Sequence, residues 1–206
     1  MTEDEKEINR GTQIILPCQN IRYILPRFQV KNSDTTERVI NDCRLLGPYT
    51  PIIHYRLPRP SNLQKFHEED IILSVDGKSA YKQRKLAPSC QNLIGFQTKV
   101  DNKPCYVSMT TPPFGLHNAG FIYQDILENK ICRIAGSLPF IEYVDDVLIK
   151  VGTIHEDRTI VENRIKFFIT LLTASGEIIN NKIKIFFSTD HNDGNEILLG
   201  NKKIYS

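Results

Sequence analysis

FIEYVDDVLIK, Phe140 to Lys150, places two aspartates side by side in an otherwise apolar run. A carboxylate among apolar neighbours is costly unless it is paired, hydrogen-bonded or bound to a cation. A tight hairpin resolves the conflict: FIEY and VLIK pair as strands, and the turn lifts Asp145 and Asp146 to the sheet edge. Aspartate is a common turn former in its own right, so the pair alone says no more than "turn". Asp76 adds to it. It closes a second apolar run, IILSVD, that can lie beside the hairpin in the same sheet, although Asp76-Gly77 is itself a good hairpin dipeptide. Three carboxylates at adjacent strand ends repel unless a cation sits among them. Hard oxygen donors without His or Cys favour Mg2+ or Mn2+. Two such ions would clamp the attacking and leaving oxygens of an in-line phosphoryl displacement.

The chain has 206 residues, enough for one domain or two small subdomains with a real core. Its net charge of +2 neither demands nor excludes a polyanionic partner. The basic clusters, Lys82–Lys85, Lys182 with Lys184, and Lys202 with Lys203, each read on their own as solvated surface. The five cysteines, Cys18, Cys43, Cys90, Cys105 and Cys132, form no C-x-x-C pair, and the five histidines are dispersed. That pattern reads as reduced thiols and argues against zinc. The opening MTEDEKEINR is charged and has no apolar core, so it is not a signal peptide, and no apolar run reaches membrane-spanning length. These features predict an intracellular, non-secreted protein without a membrane partner. The first ten or so residues read as a frayed tail.

RYILPRFQVKN and ERVINDCRLL predict two strands joined at SDTT. A proline-broken stretch leads to a short helix candidate at NLQKFHEED, then to the strand IILSVD. IGFQTKV and KPCYVSMT flank Asp101-Asn102 as a hairpin. Ala119, Ile122 and Ile126 shift to helical spacing, predicting a helix over 117–130. A second helix covers His155 to Ala174, with Val161, Ile165, Phe168 and Leu172 on one stripe and Gly176 as its stop. KIKIFFS and EILLGNKKIYS predict two last strands. The class is α+β: an antiparallel sheet with helices packed on one face.

EYVDDVLI resembles the Y-x-D-D box of reverse transcriptases, and other blocks follow in that family's order. RVINDCRLL resembles its fingers segment R-x-x-x-D-x-R-x-L, and ILSVDGKSAYKQ the block around the first aspartate. TPPFGLHNAGFIYQ resembles L-P-F-G-L-x-N-A-P-x-x-F-Q, LLTASGEIINNKIKIFF the L-x-x-x-G-x-x-l-N-x-x-K segment, and EILLGNKKI the primer-grip hairpin. The set spans about Phe28 to Ile204 and leans toward elements of the gypsy, pararetroviral or tyrosine-recombinase retrotransposon kind. The resemblance implies a right-hand polymerase's fingers (about 11–52 and 84–116) and palm (about 53–83 and 117–206) as one domain over 1–206. The thumb, connection and RNase H segments of a polyprotein would be missing.

The resemblance also implies roles. Asp76, Asp145 and Asp146 match the metal-binding carboxylates, with the carbonyl of Val75 as a further oxygen ligand to the two Mg2+ ions, for which Mn2+ can substitute. Tyr81 matches the aromatic under the incoming sugar, which selects deoxynucleoside triphosphates. Phe114 and Gly115 match the floor of the nucleotide pocket. Arg38 matches the fingers arginine on the incoming base, and Lys31 lies in a turn resembling the basic fingers loop. Asp42 and Arg44 match structural positions, and Leu199 and Gly200 match the primer grip. Gly120 and Glu37 depart from the usual Pro and Trp. Ile183 occupies the slot of the leaving-group lysine, leaving Lys182 and Lys184 as candidate general acids. The implied function is RNA-directed DNA synthesis on an RNA or DNA template with its primer, in the cytoplasm, a virus-like particle or the nucleus. The alternative is an inactive or domesticated remnant that binds nucleic acid without catalysis.

Overall fold

The computed structural model describes residues 2–33, 36–181 and 183–187. The described residues fall into two compact units, one within Met1–His54 and Ser79–Ile122, the other within Tyr55–Lys78 and the described residues from Tyr123 on.

The first unit begins with α1 (Glu3–Asn9), where a frayed tail was expected. Thr2 Oγ1 accepts the N–H of Glu5, and the Glu5 carboxylate accepts the N–H of Thr2 at 2.6 Å, a reciprocal capping box. The inner face of α1 is acidic. Asp4 accepts from both terminal guanidinium nitrogens of Arg27, at 2.6 and 2.7 Å, and from the hydroxyl of Thr98 at 2.5 Å. Burial raises its carboxyl pKa, but Arg27, Thr98 and Gln13 together bring it below its ordinary value. These ties dock a seven-residue helix that propensity alone would not hold.

Strands β1 (Gln13–Ile15), β2 (Tyr23–Ile24), β6 (Ile94–Val100) and β7 (Lys103–Met109) make a four-stranded sheet in the order β1-β7-β6-β2. The β2–β6 pair is parallel, so this sheet is mixed. Asp101 and Asn102 close the β6–β7 hairpin with φ of 49° and 60°, as a two-residue turn requires. Leu25, Cys43, Leu46, Ile94, Phe96, Val107 and Met109 are its core. A separate ribbon pairs β3 (Arg27–Ser33) with β4 (Thr36–Asn41). The strand expected to run on to Leu46 stops at Asn41. Asp42 caps a 3-10 turn, Cys43–Tyr49, by accepting the Arg44 N–H and gripping the Arg44 guanidinium, which pulls its carboxyl down to about 2.

In the second unit, β5 (Asp70–Asp76), β8 (Phe140–Tyr143), β9 (Asp146–Thr153) and β10 (Lys184–Phe187) form an antiparallel sheet in the order β10-β5-β9-β8. Period-two alternation buries Leu73, Val75, Val147, Ile149 and Val151 on one face. Two helices cover that face. From α2 (Ala119–Ala135), Tyr123 and Leu127 line a gap of only about 10 Å³ with Val75, Val147 and Leu172. From α3 (Arg158–Ala174), Val161, Ile165, Phe168, Ile169 and Leu172 are buried, the stripe that the spacing predicts. Each such side chain contributes about 1.5–3 kcal/mol. The helix expected at NLQKFHEED is a 3-10 turn, Pro60–Lys65, since proline at its start and the Asp70 side chain accepting the His67 N–H turn the chain directly into β5. The last expected strand, EILLGNKKIYS, lies outside the described residues. All five cysteines are free thiols. No helix among the described residues is long and apolar enough to cross a membrane.

Candidate active site

Register brings the aspartates together. Asp76, the last residue of β5, is the cross-strand partner of Asp146, the first residue of β9. Such a pair shares one face of the sheet at close Cβ separation. Because Val75 and Val147 point to the helices, Asp76 and Asp146 stand on the opposite, open face. Asp145 lies in the two-residue turn Val144–Asp145 that joins β8 to β9, so the acidic hairpin has the form the sequence implies. Val144 has φ of 58°, a left-handed conformation that a β-branched residue adopts only under constraint.

Backbone ties fix these ends. The Gly77 N–H donates to the Asp145 carbonyl at 2.8 Å, and the Asn180 N–H to the Asp76 carbonyl at 2.8 Å. Asn180 Nδ2 also donates to Asp76 Oδ2 at 2.5 Å. A Cβ on Gly77 would meet Tyr123 Oη at 2.7 Å and the Asp145 carbonyl at 3.3 Å, so only glycine lets the three segments approach this closely. Tyr123 Oη donates to buried Glu177 at 3.3 Å, and Lys130 pairs with the same carboxylate.

Electrostatics agree with the crowding. Burial pushes the Asp146 carboxyl above its ordinary value, and the negative charges of Asp145 and Asp76 push it further, against a smaller opposing effect of Lys184. A raised folded-state pKa means that stability is full below the unfolded value and is lost as pH rises through the folded one. At pH 7 without divalent cations, Asp146→Asn is therefore expected to raise Tm slightly, by about 1–3 °C. Added Mn2+ should stabilise the wild type more than the variant. Melting curves in EDTA and in Mn2+ check both signs.

Lys184 stands on β10 opposite Ser74, which places it on the face of Asp76 and Asp146. Lys182, Leu199 and Gly200 lie outside the described residues. Among the described residues, no three His, Cys, Asp or Glu side chains form a ready-made metal cage. The donor set nonetheless fits a hard cation. Its members are all carboxylates at one sheet end, and their mutual charge adds to burial in raising Asp146.

The candidate nucleotide-pocket residues lie in the first unit. Tyr81 is in a 3-10 turn, Ala80–Gln83, entered through Ser79 with φ of 53°. Its ring sits 5.2 Å from that of Phe114, tilted by 57°. Gly115 has φ of 104°, and a Cβ there would lie 2.3 Å from the carbonyl oxygen of Asn41, at the end of β4. The Asn41 N–H in turn donates to the Phe114 carbonyl at 3.2 Å. Arg38 lies on β4 opposite Val30. Lys31 is exposed on β3 opposite Glu37, within the ribbon, where a turn was expected.

Asn180 and Gly77 were given no role from sequence. Asn180 is the Asn of the quoted G-x-x-l-N segment, and that motif was the available signal. The left-handed Val144 was hidden because two-residue hairpin loops usually announce themselves with Gly or Asn.

The family model for "Reverse transcriptase (RNA-dependent DNA polymerase)" matches residues 2–198, and the chain belongs to that family. A search of curated proteins by sequence gave no match. By fold, the chain is similar to a foamy viral protease–reverse transcriptase solved in complex with double-stranded DNA, at a TM-score of 0.68 and 15% identity. The match covers 84% of this chain and 28% of that one, so the chain spans under a third of that protein's length.

Proposed function

We propose that this chain is the polymerase core of a reverse transcriptase, adding deoxynucleotides to a primer 3′-hydroxyl on an RNA or DNA template. The observation that carries this reading is the pairing of Asp76 with Asp146 on an open sheet face, beside the turn that bears Asp145. These three carboxylates, with the Val75 carbonyl, would hold the Mg2+ ions, and Mn2+ would fit the same donors. When bound, the ions supply positive charge that lowers the pKa of the attacking hydroxyl and stabilises charge on the leaving oxygens.

The chain's own residues do the rest. Asn180 fixes the Asp76 carboxylate through its amide. Gly77 holds the Asp145 turn through its N–H. Lys184 is the described candidate for protonating the leaving pyrophosphate, with Lys182 as the other. Tyr81, backed by Phe114, would face the sugar and exclude a 2′-hydroxyl, and Gly115 would let backbone approach the nucleotide. Arg38 and Lys31 would meet base and phosphates from the ribbon, since a guanidinium suits both stacking and phosphate contact. Leu199 and Gly200 would grip the primer. In this reading the fingers are about residues 11–52 and 84–116, and the palm about 53–83 and 117–206. Thumb, connection and RNase H segments would belong elsewhere in a retroelement polyprotein.

On poly(rA)·oligo(dT), the chain is expected to incorporate dTTP in strong preference to UTP. Tyr81→Val should reduce that preference by roughly tenfold or more, because the steric barrier to the 2′-hydroxyl is gone. An unchanged preference in a folded Tyr81→Val chain would remove Tyr81 from the sugar pocket. The alternative reading, a nucleic-acid-binding remnant, is motivated by the departures from the family pattern at Gly120, Glu37 and Ile183. It predicts template–primer binding with no incorporation.

A further inference from the structure

Glu7 is 2% exposed, and its carboxylate collects three donors. Lys82 Nζ stands 2.9 Å from Oε1, Arg10 Nη1 donates to Oε1 at 2.8 Å, and Thr12 Oγ1 donates to Oε2 at 2.6 Å. Lys82 immediately follows Tyr81. A buried carboxylate costs several kcal/mol unless it is fully partnered, so this arrangement needs a reason beyond solubility.

The turn that carries Tyr81 has little regular structure of its own. It is a four-residue 3-10 segment entered through a left-handed serine, with backbone bonds from Lys82 N–H to the Ser79 carbonyl at 2.8 Å and from Arg84 N–H to the Tyr81 carbonyl at 3.2 Å. Such a short 3-10 turn is weakly self-sustaining. The amino-terminal segment supplies outside ties. Besides Glu7 on Lys82, the Gly11 carbonyl accepts from Lys85 Nζ and from Thr110 Oγ1, the latter at 2.6 Å. The Thr110 N–H donates to the Thr12 carbonyl at 3.0 Å, and the Leu86 N–H to the Thr110 carbonyl at 2.8 Å. Residues 7–12 therefore hold the chain on the carboxyl-terminal side of Tyr81 at Lys82 and at Lys85.

We infer that Glu7 is a positioning residue for sugar selection: by anchoring Lys82, it sets the turn that presents Tyr81 against Phe114. The inference rests on the reading of Tyr81 as the residue facing the sugar. A gate that rejects one hydroxyl depends on a fraction of an ångström, and a misplacement near 1 Å can cost about 10²-fold. Loosening the anchor therefore degrades discrimination before it abolishes the reaction. Glu7→Gln keeps the shape and the Thr12 contact but leaves Lys82 without its counter-charge.

Single-nucleotide incorporation of dTTP and UTP by the 206-residue chain tests this. Glu7→Gln is expected to lower the ratio of the two kcat/KM values by about three- to tenfold, mainly through a higher KM for dTTP. Lys82→Met should reproduce that change, the double variant should add little to it, and Lys82→Arg should restore most of the ratio. A merely structural role would reduce the active fraction equally for both nucleotides and leave the ratio alone. If Glu7→Gln does not fold, Lys82→Met carries the same readout. An unchanged ratio in both single variants, alongside a relaxed ratio in Tyr81→Val, would overturn the inference and spare the pocket. An unchanged ratio in Tyr81→Val, or no incorporation by the wild type, would overturn the pocket reading and the inference with it.

Discussion

Asp145→Asn is expected to lower primer extension by about 10³-fold or more while Tm stays within a few degrees of the wild type. The substitution removes one negative charge and little volume from the turn between β8 and β9. The tie that locks this turn to the end of β5 uses the Asp145 backbone carbonyl and the Gly77 N–H, and an asparagine retains it. The φ of 58° belongs to Val144, so that strain too is untouched. What changes is the charge that, in the proposed function, would hold divalent cations beside Asp76 and Asp146. Extension assays with circular-dichroism melting on the same samples separate loss of chemistry from loss of fold. A variant retaining a tenth of wild-type activity would place the chemistry elsewhere.

Gly115→Ala is expected to be the most damaging single methyl group in the first unit. Two independent costs combine. Alanine at φ of 104° is strained, and its Cβ would lie 2.3 Å from the Asn41 carbonyl oxygen, which is backbone and cannot rotate away. Strain of this kind costs about 1–3 kcal/mol and overpacking about as much again. The expected fall in Tm is therefore roughly 5–15 °C at this chain length. Because the Asn41 N–H also donates to the Phe114 carbonyl, any relief must shift the loop that backs Tyr81, and KM for dTTP should rise together with the fall in Tm. Melting curves and steady-state kinetics check the pair of effects. A Tm within 1–2 °C of wild type would mean that the loop tolerates a side chain there.

The legible parts of the fold carried a strong local signal. IILSVD and VLIK read as apolar strands bounded by aspartate, which placed Asp76, Asp145 and Asp146 at neighbouring strand ends, whereas the face that Asp76 and Asp146 share follows only from the register of the two strands. The α3 stripe from Val161 to Leu172 was read from spacing alone. What was missed depended on tertiary partners. Thr2 and Glu5 form a capping box that was available in the sequence, yet α1 read as a tail because nothing local reveals that Asp4 will find Arg27 and Thr98, 23 and 94 residues away. Glu7 was passed over for the same reason. ERVINDCRLL kept its apolar residues past Asn41, but Asp42 turned the chain by gripping Arg44. Asn180 was visible as a motif letter, and its work became apparent only through its contact with Asp76.

Extension of oligo(dT) on poly(rA) by the purified chain, with dTTP and Mg2+ or Mn2+, decides whether Asp76, Asp145 and Asp146 form a polymerase centre. Template-dependent addition of deoxythymidine that disappears in EDTA and in Asp145→Asn is the expected result. A folded chain that binds the same template–primer and adds nothing with either metal would contradict it and leave a nucleic-acid-binding module in its place.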